Sequence, residues 1–251
     1  MRNVRLAVLL AASLYLVAAP AGAAPLREAP VIDRAEPDCT QIPPEVTPPL
    51  AIEKTPVLPL EARIMYEPGA LRVVKEHMST ARDAFARIGV RLKLRYDEVD
   101  PPDHWPSEFF DEPSGDEIMG FMKSQYGGLR PAGVDVVYYM TGYWSGGLAD
   151  CIGGVRFPDR AFAFGSLEYA LEGGPSSPTA DEGVIAAHEI GHLLGAHHHY
   201  SNCTEALPSG ATRGDVNPCT TMSPLATTAS STFSTLEASY IRHYVAKYAK
   251  G

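Results

Sequence analysis

The sequence has no lysine- or arginine-rich run, no internal repeat, no second long apolar stretch after its opening residues and only four cysteines. Each shortage narrows what the protein can be. Without a basic cluster, and with a formal net charge of -9, the chain offers no electrostatic footprint for nucleic acid. Without a later apolar run of about 18 residues or more, no membrane anchor is expected in the mature form. Hydrophobic content of 45% with 20% charged residues excludes a disordered or fibrous chain. The acidity is spread along the sequence and reads as a soluble, self-repelling surface, and a monomer is expected.

The opening segment reads as a targeting signal. Arg2 and Arg5 precede an apolar stretch from Leu6 to Ala19, Pro20 and Gly22 interrupt it, and Ala21-Gly22-Ala23 is a small-x-small cleavage site. The expectation is a signal peptide over 1–23 and a secreted or periplasmic protein. In an oxidising compartment, Cys39, Cys151, Cys203 and Cys219 read as disulfides, and the count alone permits three pairings.

Residues 24–57 carry eight prolines, including Pro43-Pro44 and Pro48-Pro49. Proline lacks a backbone donor and fixes φ, so this stretch is a lead-in or short pro-segment that cannot build a core. The folded domain is expected over 58–251. Leu60–Tyr66 reads as a strand, Ala70–Ile88 has helical apolar spacing, and Val90, Leu92, Leu94 and Tyr96 alternate with Arg91, Lys93 and Arg95. This β–α–β run predicts a parallel pair at the heart of a mixed sheet. A helix over Asp116–Tyr126, a doubly buried strand over Val134–Met140 and a glycine-rich loop over Gly142–Gly154 follow. A short strand over Arg160–Gly165, a flexible stretch at Gly173–Pro178 and a last helix from Phe233 to about Tyr248 complete the pattern.

The chemistry lies in Ala-Ala-His188-Glu189-Ile-Gly-His192-Leu-Leu-Gly195-Ala-His-His198. Residues four apart share one helix face, so His188 and His192 can present imidazoles to one point. Neutral imidazole nitrogen is a preferred donor for Zn²⁺. Thr179 with Glu182 fits a capping box at the start of this helix, and Gly195 lies where the chain must leave it. Three residues on, His198 can fold back as a third ligand. His197 and His199 adjoin it, and spacing favours His198. Three protein ligands leave a fourth position open, the mark of a catalytic site for one zinc ion. Glu189, beside the first ligand, can act as general base on a metal-activated water.

These residues, with Cys219-Thr-Thr-Met222 downstream, resemble the metzincin clan of zinc endopeptidases and, within it, the adamalysin/reprolysin group. Cys203 five residues after the third histidine, Phe233-Ser234 opening the last helix, and Gly146-Gly-Leu-Ala-Asp-Cys151 are similar to that group. His199 stands where the group has Asp, and Ser223-Pro224 after the methionine excludes the tyrosine ligand of astacin- or serralysin-like enzymes. The resemblance implies an α+β, metzincin-like zincin fold: a mixed twisted sheet, an active-site helix, and a C-terminal helix below the cleft. It makes Met222 the methionine of the turn beneath the metal and pairs Cys203 with Cys219. Cys39 and Cys151 then either form a second disulfide, or Cys39 as thiolate occupies the open zinc position. Hydrolysis of protein or peptide substrates is expected, with substrate extended along Arg160–Gly165 and Ser223–Ala226 walling a pocket. Phe162 and Phe164 are expected in the core. The alternative is a catalytically silent zinc-containing secreted binding module, against which the retained Glu189 argues.

Overall fold

The computed structural model describes residue 39 and residues 56–105, 113–167, 182–203, 219–224 and 229–250. The expected signal segment, most of the lead-in, Gly173–Pro178, Thr179 of the expected capping box, and Leu225 and Ala226 lie outside the described residues.

Among the described residues, five strands and four α-helices follow one another as β1 (Leu58–Tyr66), α1 (Leu71–Arg87), β2 (Val90–Glu98), α2 (Gly115–Ser124), β3 (Val136–Thr141), β4 (Gly147–Ala149), β5 (Phe162–Ser166), α3 (Glu182–Leu193) and α4 (Thr235–Tyr248). The strands form one mixed sheet in the order β2-β1-β3-β5-β4. β2, β1, β3 and β5 run parallel, and β4 is antiparallel to β5.

Period-two alternation explains the layering. Leu60, Ala62 and Ile64 of β1, Val136, Tyr138 and Met140 of β3 and Ala163 of β5 share a core with α1, α3 and α4. Met65, Val137, Tyr139, Phe162 and Phe164 point the other way, onto Trp105 and the Ile118, Met119 and Met122 face of α2. β3 therefore fills both cores and is buried along its whole length, which is why it reads as an unbroken apolar run. Fully burying each such large side chain contributes about 1.5–3 kcal/mol. Phe162 and Phe164 are core residues, as expected.

Two expectations fail. The β1–β2 pair is parallel, yet β2 is an edge strand, and β1 and β3 hold the centre. Arg91, Lys93 and Arg95 are exposed there, as charged residues on a sheet edge usually are. The glycine-rich loop, moreover, contains a strand. β4 is three residues long and carries too little pattern to be read, and pairing with β5 is what holds it extended.

Helix α4 opens on a capping box formed by Ser234 and Glu237. Its Arg242 donates to the carbonyls of Ile88, Gly89 and Pro56, which ties the helix to the start of β1 and the α1–β2 turn.

Candidate metal centre

Every residue of α3 is buried, because the helix packs on the sheet and against α1 in a core that also takes in Met222, Phe233 and residues of α4. Its first-turn Glu182 pairs with His77 of α1 at 3.2 Å. The helix stops at Gly195, whose φ is 82°. Side chains rarely adopt that conformation, and a Cβ here would also lie 2.5 Å from the Tyr244 ring. The N–H of Gly195 bonds the His192 carbonyl and that of Ala196 the Gly191 carbonyl, closing the helix end. The chain then turns back through His197 into a single 3-10 turn, His198–Tyr200.

This reversal brings three imidazoles together. The Nε2 atoms of His188 and His192 are 2.9 Å apart, and that of His198 is 3.1 Å from each. Nδ1 of His188 lies 2.7 Å from the Thr221 carbonyl, and Nδ1 of His192 lies 2.8 Å from the Ala196 carbonyl. A carbonyl can only accept, so both Nδ1 atoms carry the proton and both Nε2 atoms present bare lone pairs. Burial, reinforced by the neighbouring imidazoles, lowers the pKa of His188 to about 3 and that of His192 well below the usual value. Both rings are thus held neutral, the form that binds metal. The two bare lone pairs of His188 and His192 face each other and repel unless a cation or a proton donor lies between them. Tetrahedral zinc with 2.0–2.1 Å bonds would set its nitrogen ligands about 3.3 Å apart. The donor set fits zinc.

His197 and His199 do not join the cluster. Their rings contact each other and Tyr200, which stacks on Tyr240 of α4. Among the described residues, His188, His192 and His198 form the one group able to hold a metal.

Glu189 is wholly buried on α3 beside this cluster, with its carboxylate directly over Gly147 of β4. Met222 is wholly buried beneath the helix, and Gly191 lets it approach: a Cβ at 191 would lie 2.8 Å from the methionine sulfur. The segment carrying Met222 is fixed on several sides. Thr221 bonds Thr232 and Ser230, Thr220 donates to Glu237, and the Ser223 N–H closes a turn onto Thr220. Cys203 is bonded to Cys219 across this region.

Cys39 is bonded to Cys151, two residues after β4, so its sulfur is not at the imidazole cluster. The Cys39 N–H donates to the Ile152 carbonyl, and Arg156 donates to the Cys39 carbonyl. The expected substrate strand needs correcting. β5 is covered on one side by β3 and on the other by β4, so no peptide can pair with its edge. Among the described residues the sheet ends on this side at β4. Sequence reading missed this strand and the two carbonyls, Thr221 and Ala196, that fix the imidazole tautomers. Backbone groups leave no residue-type signal.

A family model described as Metallo-peptidase family M12B Reprolysin-like matches residues 69–248. The chain belongs to the reprolysin-like M12B metallopeptidases. It is accordingly a zinc metallopeptidase, with the metzincin-type fold that its sequence resembles. Among solved structures, archaemetzincin from Methanopyrus kandleri is similar at a TM-score of 0.50 and 15% identity, over 75% of this chain and 96% of that one. A zinc-dependent peptidase from Methanocorpusculum labreanum aligns at a TM-score of 0.33 and 17% identity, over 55% and 82% of the two chains. Comparison with curated proteins gives no significant match. The matched residues begin after β1 and take in α1, β2 to β5, α3 and α4, and so include every side chain of the site described above except Cys39.

Proposed function

We propose that this metallopeptidase is an exported zinc endopeptidase in which His188, His192 and His198 hold one zinc ion and Glu189 is the general base. The observation that carries the reading is the convergence of three imidazole nitrogens, two of them from α3, beside a buried carboxylate on that helix. A zinc ion bound there supplies Lewis acidity towards the scissile carbonyl and the attacking water. Thr221 and Ala196 keep the two helical imidazoles in the metal-binding tautomer. Glu189 accepts the proton of the attacking water and passes it to the leaving amine. Its burial keeps competing solvent from that proton path.

An extended peptide would add to the sheet beyond β4, the strand that runs past Glu189. Export is supported by the N-terminal pattern of Arg2, Arg5 and the following apolar stretch, and by the two disulfides. Among the described residues no helix is long and apolar enough to cross a membrane.

The test is digestion of a diverse peptide mixture, read by mass spectrometry, beside Glu189→Ala and a chelated sample. Internal cuts that disappear in both controls are the expected result. Glu189→Ala should retain zinc and lose at least ~100-fold in turnover, the lower end for a general base. Wild-type cleavage by that variant would remove Glu189 from the mechanism, and a zinc-loaded wild type that cuts nothing would return the chain to a binding role.

A further inference from the structure

Two glycines face each other across the antiparallel pair at the sheet edge, Gly147 on β4 and Gly165 on β5. Directly opposite residues share a face of the sheet, and here that face looks at α3. Gly165 is hemmed by packing. A Cβ there would meet the hydroxyl of the wholly buried Tyr138 and lie 2.9 Å from Ile185 of α3. Gly147 has different neighbours. The three atoms nearest to a Cβ at 147 all belong to Glu189: Oε1 closest, Cγ at 2.6 Å and Cδ at 2.7 Å. Ordinary van der Waals contact begins at 3.4 Å.

The backbone does not require glycine at this position. Gly146, not Gly147, carries the left-handed turn that leads into β4, with φ of 98°. Gly147 is in extended strand conformation, which any residue adopts. What 147 cannot accommodate is volume. The obstacle is the end of one flexible side chain, so an added methyl group would displace the Glu189 carboxylate and leave the surrounding backbone in place.

We infer that Gly147 is the positioning residue for Glu189: the space left by its absent side chain is the seat of the carboxylate. The edge strand therefore sets where the proton acceptor stands. The inference rests on the reading of Glu189 as general base, and it adds a sequence requirement outside the His-Glu-x-x-His helix.

The test is Gly147→Ala in the full chain, alone and combined with Glu189→Ala, measured by zinc content, thermal unfolding of metal-loaded and metal-free protein, and steady-state peptide hydrolysis. G147A should hold as much zinc as the wild type. Its kcat should fall by at least ~100-fold with KM nearly unchanged, because the lost element is the proton acceptor. Its Tm should drop relative to the wild type, whereas adding G147A to E189A should leave Tm where E189A has it, since the obstructing carboxylate is gone. Should G147A alone fail to fold, recovery of folding in G147A/E189A would carry the same meaning. Equal Tm losses in both backgrounds, wild-type kcat, or a rise in KM alone would overturn the inference, the last by making 147 a substrate-contact position. Full turnover by E189A would instead overturn the general-base reading, and the Tm comparison would still judge the contact. Gly165→Ala is the contrast: it should lower Tm equally with and without Glu189.

Discussion

At the scale of single residues, the three consecutive histidines 197–199 show how position outweighs identity. All three have the same chemistry, but only His198 brings Nε2 within 3.1 Å of the two helical imidazoles. His197 and His199 lie against Tyr200 instead. His198→Ala should therefore weaken zinc binding by more than the ~10–100-fold typical of losing an outer partner. His197→Ala and His199→Ala should keep full zinc content by atomic absorption, and loss of metal from either would move the ligand assignment. Met222 makes a different kind of prediction. It touches no reacting group and fills space against Gly191. Met222→Ala should cost about 2–5 kcal/mol of stability in denaturant unfolding. Met222→Leu, which conserves volume, should cost less than about 1.5 kcal/mol. An unaffected M222A would mean the turn is held by its hydrogen bonds and disulfide alone.

At the scale of elements, α3 was legible because the spacing of His188, Glu189, His192 and Gly195 is itself helical geometry followed by a stop. The end of that helix is doubly constrained, by a positive φ and by the Tyr244 ring of α4. Gly195→Ala should lower the urea midpoint at unchanged slope, corresponding to a loss of about 1–3 kcal/mol of unfolding free energy from backbone strain alone. An unchanged midpoint would show that the reversal carrying His198 tolerates other geometries. Helix α4 begins on the reciprocal Ser234–Glu237 cap, and Glu237 also accepts from Thr220 beside the Met222 turn. β1, α1 and β3 were equally readable, since each carries a long periodic or apolar pattern. β4 was not: three residues beside glycines carry no period, and only its partner in the sheet makes it a strand.

At the scale of the whole molecule, two disulfides close the structure over different sequence separations. Cys203–Cys219 spans a separation of 16 residues beside the site, and Cys39–Cys151 spans 112. The longer crosslink fixes residue 39 of the lead-in beside the end of β4, through the Ile152 and Arg156 contacts as well as the sulfurs. Replacing Cys39 and Cys151 together by alanine should cost about 2–5 kcal/mol, measured by thermal unfolding. A non-reducing peptide map of the wild type should show peptides containing 39 and 151 joined; a free Cys39 thiol would reopen its role as a metal-blocking ligand.

The sequence by itself determined the fold family and supplied the proposed metal set and base, because those rest on residue types at fixed helical offsets, which the chain carries in any context. It also determined which strands are long enough to declare themselves. Only the tertiary structure decided the rest: that β2 lies at the edge, that β5 is covered by β4, that Cys39 bonds Cys151, and that Glu189 is seated over Gly147. The physical reason is common to all four. Strand order, disulfide pairing and the room at a glycine are relations between segments far apart in the chain, set by which surfaces pack together, and no local pattern of side chains encodes them.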